Sequence, residues 1–246
     1  MKHNYFNYPN EKLPPYGSVA YFSYRKLSDE KKEALYCLDQ IKSQIISCTE
    51  IYSNIEVANE KMNWWIQQVN AVKNNQSISS PQIKTLLKYF DKELLYKNLI
   101  EDISHAIENS SNEDRVFLEH IEKSYLGIET LKASYLNDFK TFDISIVKQL
   151  NINNEIIRNI FQMPKHYYNQ IIFDKKISPA MDSKAYKTIT KEWLNKYSKI
   201  SSNNLKPLIT MNKIHHKMVK KSIKKVNNPF RDALIFSPLA LLIYSI

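Results

Sequence analysis

Six histidines, two cysteines and 25 carboxylates are the groups this 246-residue chain can bring to chemistry, and few stand at spacings that perform any. His215 and His216 are adjacent, but neighbours on a helix point about 100° apart, so one metal ion does not take both. No H-E-x-x-H or C-x-x-C occurs, so a zinc site has no sequence support. G-x-S-x-G is absent, and neither Cys37 nor Cys48 has a histidine close by in sequence, so nucleophilic catalysis has no signal. Acidic pairs occur at Asp29/Glu30, Glu101/Asp102 and Glu113/Asp114. The first and third fall at expected helix starts, where the dipole favours acids. Only Glu101/Asp102 falls mid-helix, to be read as a solvated face or, alternatively, as part of a metal site.

Two glycines, Gly17 and Gly127, are too few for the phosphate-cradling loops of nucleotide-binding folds. They are also too few for a sheet of tight hairpins. On one continuous helix Cys37 and Cys48 fall on nearly the same side but roughly 16 Å apart along the axis, beyond disulfide reach. They read as small buried thiols in a reducing compartment. The opening "MKHNYFNYPNEKLPPYGSVAYF" carries no apolar secretion core and no Arg-rich amphipathic helix. The expected location is cytoplasmic, peripheral at an inner membrane, or the mitochondrial matrix in a eukaryote.

The elements that must position any site are helices. "LSDEKKEALYCLDQIKSQIISCTEIY" starts on Ser28 as N-cap, and Leu35, Leu38, Ile41, Ile45 and Cys48 recur along one face. Met62, Trp65, Val69 and Val72 form a second stripe, with Trp64 beside it. Ser80 caps a helix with Pro81 at its first position. Asp91 caps another, with Leu95, Leu99, Ile103 and Ile107 along one side. "RVFLEHIEKSYLGIETLKASYL" and "DISIVKQLNINNEIIRNIFQ" follow, and Pro164 is expected to end the latter. "YYNQIIFDKKI" reads as extended or irregular. "PAMDSKAYKTITKEWLNKYSKI" and "LKPLITMNKIHHKMVKKSIKK" complete an all-α chain of about eight helices, one domain over 1–246 with an irregular arm at 1–20.

The net charge of +10 favours acidic partners. From Lys213 to Arg231 there are seven basic residues and no acid. Lys217, Lys220, Lys221, Lys224 and Lys225 mark this helix as a solvated face, or as a surface for anionic lipid, an acidic protein or nucleic acid. The apolar tail that ends the 213–246 segment is too short to span a bilayer and is interrupted by Pro238. It is expected to dock on the core or to lie in a membrane interface.

Three ordered segments, "EKKEALYCLDQIKSQI", "ANEKMNWWIQQV" and "SPQIKTLLKYF", resemble the opening of the squalene/phytoene synthase family. Lys32, Ala34, Leu35, Tyr36, Lys61, Trp64, Trp65 and Pro81 stand at matching places. "FLEHIEKSYLGIETLKASYL" looks like the family's next helix. "NIFQMPKHYYNQIIFDKKI", with Pro164 and His166, looks like an element of the branch containing the mitochondrial complex I assembly factor and its bacterial relatives. The resemblance implies an isoprenoid-synthase-like bundle around a central cavity, with Tyr36, Glu50, Trp64, Trp65, Glu155, Asn159 and His166 as cavity-lining candidates.

Active members of that family hold Mg²⁺ and a diphosphate on two aspartate-rich motifs. Several carboxylate oxygens are needed there, because near-octahedral Mg²⁺ must neutralise the leaving group. Here the first motif's place reads "SQIISCTE", with Glu50 its one acid, and the second reads "NINNEIIRNI", with Glu155 alone. Ile66 replaces the arginine after W-W, and Ser80 the histidine before Pro81. The resemblance therefore implies a non-catalytic assembly or scaffolding factor for a respiratory membrane complex, with an isoprenoid or lipid in its cavity, no cofactor, and a membrane surface or acidic protein as partner. The enzyme alternative is a Mg²⁺-dependent prenyltransferase using Glu101, Asp102 and Asp138. A helical nucleic-acid-binding module is the third reading, without a recognition motif to support it.

Overall fold

A computed structural model describes residues 12–51, 54–110, 121–168, 177–232 and 236–245, and within them the chain is all-α with no strand. The extended reading of "YYNQIIFDKKI" falls mostly on 169–176, and Glu113/Asp114 on 111–120, both outside the described residues.

Helix α1 (Val19–Tyr24) starts on the Ser18 hydroxyl and α2 (Asp29–Ile46) on that of Ser28. The inner face of α2, Leu35, Leu38, Ile41 and Ile45, is fully buried, as its three-and-four spacing dictates. The α-helix stops at Ile46, and Cys48 belongs instead to a π-helical turn, Ser47–Ile51. The Ser47 and Thr49 hydroxyls donate back to the Ser43 and Ile45 carbonyls at 2.8 and 3.1 Å, the local competition that bends helices.

Helix α3 (Ile55–Lys73) buries Met62, Trp65, Val69 and Val72, whereas Trp64 is 37% exposed. Helix α4 (Pro81–Leu86) carries its Ser80 cap and Pro81 as the sequence predicts. Asp91 caps α5 (Lys92–Ser110), accepting from the Glu93 and Leu94 amides at 2.9 and 3.2 Å.

The helix expected through residue 136 is interrupted. Tyr125 adopts the left-handed conformation (φ 58°), and α6 (Leu126–Leu136) begins after it with no cap of its own. Asp102 of α5 supplies the cap, accepting from the Gly127 and Ile128 amides at 2.9 and 2.7 Å. The helices approach so closely here that a Cβ on Gly127 would collide with the Asn98 carbonyl, so glycine is required.

Pro164 does not end its helix. α7 runs Ile144–Tyr168 straight through it. Ile160 and Met163 before the proline, and Tyr167 after it, pack in one apolar cluster, and that burial holds the helix across the lost hydrogen bond. Helices α8 (Ser183–Leu194), α9 (Lys206–Lys225) and α10 (Pro238–Tyr244) finish the described chain.

α5 packs between α3 and α6, α6 against α2 and α7, α7 against α8 and α9, and α9 against α1 and α10. Thus α2, α6, α7 and α9 surround a common space. α1 begins at Val19, just inside the boundary at residue 20 expected for the arm, of which residues 1–11 lie outside the described residues.

Candidate functional site

The space among α2, α6, α7 and α9 is a cavity of about 350 Å³. Each of three helices contributes an acid and, three residues later, a base: Asp39 and Lys42 on α2, Glu129 and Lys132 on α6, Glu155 and Arg158 on α7. The i, i+3 spacing puts both members on one helical face.

The ion pairs interleave between helices. Lys132 Nζ lies 2.6 Å from Asp39 Oδ1 and 3.1 Å from Glu129 Oε1. Lys42 Nζ lies 3.2 Å from that Glu129 oxygen and 2.8 Å from Glu155 Oε1. Arg158 Nε closes the row on Glu155 Oε2 at 2.7 Å. At the other end the Tyr24 hydroxyl donates to Asp39 Oδ2 at 2.8 Å. The Tyr125 ring lies beneath both Lys42 and Arg158, at 5.2 and 5.7 Å from its centroid. Three anions and three cations therefore alternate in one chain of contacts.

Burial makes these contacts matter. The side chains of Glu155, Lys132 and Glu129 are 1, 2 and 3% exposed. Burial pushes the Glu129 carboxyl up, but the Lys132 and Lys42 ammoniums outweigh it and hold the group at about 2. Burial likewise favours neutral Lys42, and Glu155 and Glu129 overcome it, raising the lysine above its ordinary value. Glu129 is thus held as an anion by cations already in place, and Asp39 and Glu155 each lie against a lysine or arginine nitrogen at 2.8 Å or less.

The remaining lining combines apolar Ile46, Ile157, Phe161 and Met211 with polar Ser43, Asn154 and Gln162. His215 also faces the cavity, and burial, then Lys42, lowers it to about 4, so its imidazole is neutral at pH 7. His216 points elsewhere and stacks on Tyr197, ring centroids 3.9 Å apart. The thiol of Cys37 is pushed up to about 12 by burial and Glu33, and both cysteines are buried and unbridged.

Of the seven cavity candidates read from the sequence, Glu155 lies in this wall, and Tyr36, Trp64, Trp65, Asn159 and His166 do not. Tyr36 is a buried residue of α2, and Trp65 belongs to the core cluster of α2, α3 and α5. Trp64 stands at the surface with its ring edge-on to Trp65, centroids 4.9 Å apart. Asn159 is wholly buried behind Glu155 and donates to its carbonyl at 2.8 Å. The Asn159 Oδ1 has no hydrogen-bond partner among the described residues. His166 is buried further along α7, and the side chain of Glu50 lies outside the described residues.

The alternative carboxylates do not gather. Asp138 is exposed and pairs with Lys31 at 2.7 Å, Glu101 faces solvent, and Asp102 caps α6. Five members of the network, Asp39, Lys42, Glu129, Lys132 and Arg158, were missed as site residues. Their signal was legible in "DQIK", "ETLK" and "EIIR", three acid-x-x-base units on three helices.

A Mg²⁺–diphosphate centre does not fit these residues. Each carboxylate would have to leave a buried cation to ligate metal, stranding that cation away from water. Among the described residues no group of three or more His, Cys, Asp or Glu side chains is arranged to hold a metal ion. The cavity instead suits a ligand with an apolar body and a neutral or zwitterionic polar end. Comparison with protein-family models, curated proteins and solved structures yields no match to this chain.

Proposed function

We propose that this protein is a non-catalytic helical factor of the squalene/phytoene synthase type that serves assembly or scaffolding of a respiratory membrane complex. The observation that carries the reading is the internal neutralisation of the cavity. Asp39, Glu129 and Glu155 each sit within 3.2 Å of a lysine or arginine nitrogen. The family's chemistry requires carboxylates free to collect metal ions. A cavity whose acids are spent on structure retains volume and apolar lining, which support holding an isoprenoid or lipid. The order of the segments around Tyr36, Trp64–Trp65, Pro81 and Pro164–His166 supports the family placement.

Deleting the gene in its own organism tests this reading. The expected result is loss of assembled respiratory complex on native gels while prenyl-derived lipids keep their wild-type levels. Normal complexes would refute the assembly role, and disappearance of squalene- or phytoene-derived lipids would favour the prenyltransferase instead.

A further inference from the structure

Helix α10 turns one side inward and the other to solvent. Leu241 is buried against Phe22 of α1 and Ile214 of α9. Leu239 and Ile243, four residues apart on the opposite face, are 65% and 57% exposed. Tyr16, 84% exposed, lies next to Gly17, whose backbone abuts the Pro238 ring at the start of α10.

Scattered apolar residues on a surface are ordinary. What sets this pair apart is its rim. Lys217 of α9 donates to the Tyr244 carbonyl at 3.0 Å, and Lys221 lies over the Phe236 ring at 5.5 Å, so α10 rests along the lysine side of α9. Lys213, Lys217, Lys220 and Lys224 continue that side at intervals of three and four, all exposed, and neither helix contains an acid. A second cavity, of about 290 Å³, has Ser245 at the end of α10 in its wall. Among the described residues its lining includes Arg25, Lys26 and Lys206, together with Lys31, which is paired with Asp138.

We propose that this face docks on an anionic lipid bilayer, with Leu239 and Ile243 entering the acyl boundary and the α9 lysines meeting headgroup phosphates. The basic cavity beside Ser245 receives a headgroup at the edge of the contact. Seven residues of helix are about 10 Å long, far short of a span, so α10 lies in the interface plane. Among the described residues no helix is long and apolar enough to cross a membrane. Charge complementarity with anionic lipid explains the lysines, and a hydrocarbon boundary explains the exposed aliphatic pair on the neighbouring helix. A nucleic-acid surface would account for the lysines alone. This inference goes beyond the assembly reading and stands whatever the first cavity holds.

Flotation of the full chain with phosphatidylcholine vesicles, with and without phosphatidylglycerol, tests it. Binding is expected only with phosphatidylglycerol, and L239S/I243S and K220E/K224E should each weaken it about tenfold. All four side chains are exposed, so circular dichroism should show both variants folded. In an otherwise wild-type chain, Leu239→Trp should gain fluorescence that shifts to the blue on binding and is quenched by brominated acyl chains. No vesicle binding, equal binding to both vesicles, binding indifferent to L239S/I243S, or an unquenched Trp at 239 would each overturn the proposal. A protein that ignores vesicles yet supports complex assembly loses this inference and keeps the other.

Discussion

Lys42 on α2 reaches across to Glu155 on α7, placing an ammonium 2.8 Å from a carboxylate that is 1% exposed. The same ammonium holds Glu129 of α6, so one lysine ties three helices together through two acids. A pair so placed is not a surplus of stability; its strength lies in what happens when one partner is removed.

Lys42→Met leaves two buried carboxylates short of a cation and is expected to lower unfolding free energy by about 3–5 kcal/mol. Chemical denaturation measures it. K42M/E155L removes both charges, and the cycle should show a coupling of about 1–3 kcal/mol. Additive losses would show that the pair is not the joint described here.

The pH dependence has a definite sign. Glu129 titrates at about 2 in the folded chain against an ordinary 4.5. Its contribution is fully present above about pH 4.5 and is lost as pH falls through about 2, amounting to about 3 kcal/mol. Urea midpoints across that window should fall steeply for wild type and more shallowly for Glu129→Gln.

Asp102 runs the other way. Burial raises it from 3.8 to about 7, against the opposing pull of the Ile128 and Gly127 amides. Its stabilisation is fully present below about pH 4 and is lost as pH rises through about 7. Asp102→Ala, which strips two buried amides of their acceptor, should cost about 2–4 kcal/mol at acid pH and measurably less above neutrality. A cost that is flat with pH would contradict this role.

The adjacent tryptophans should separate cleanly. Trp65 is 2% exposed and Trp64 37%. Trp65→Ala is expected to cost about 3–5 kcal/mol and Trp64→Ala no more than about 1 kcal/mol, both read from thermal or urea unfolding.

Helix positions were legible wherever period and cap agreed, as at Ser28, Ser80 and Asp91, because these are local interactions. The breaks were not. The turn at Tyr125 depends on Asp102 arriving from another helix, and Pro164 stays helical because Ile160, Met163 and Tyr167 share a cluster. Both reasons lie in tertiary contacts. The cavity wall was legible in part. Glu155 was among the expected cavity residues and lies in the wall, and Asp39 and Glu129 join it from α2 and α6, each acid with a base three residues on. Which cation meets which anion across helices, Lys132 with Asp39 rather than Lys42 with its own neighbour, is fixed by helix packing and appears in no single segment.

Incubation of the purified chain with Mg²⁺ and farnesyl or geranylgeranyl diphosphate, with prenyl products analysed by mass spectrometry, tests the central claim most directly. Carboxylates locked to Lys42, Lys132 and Arg158 predict that the diphosphate is recovered intact. Sustained formation of squalene or phytoene would contradict it.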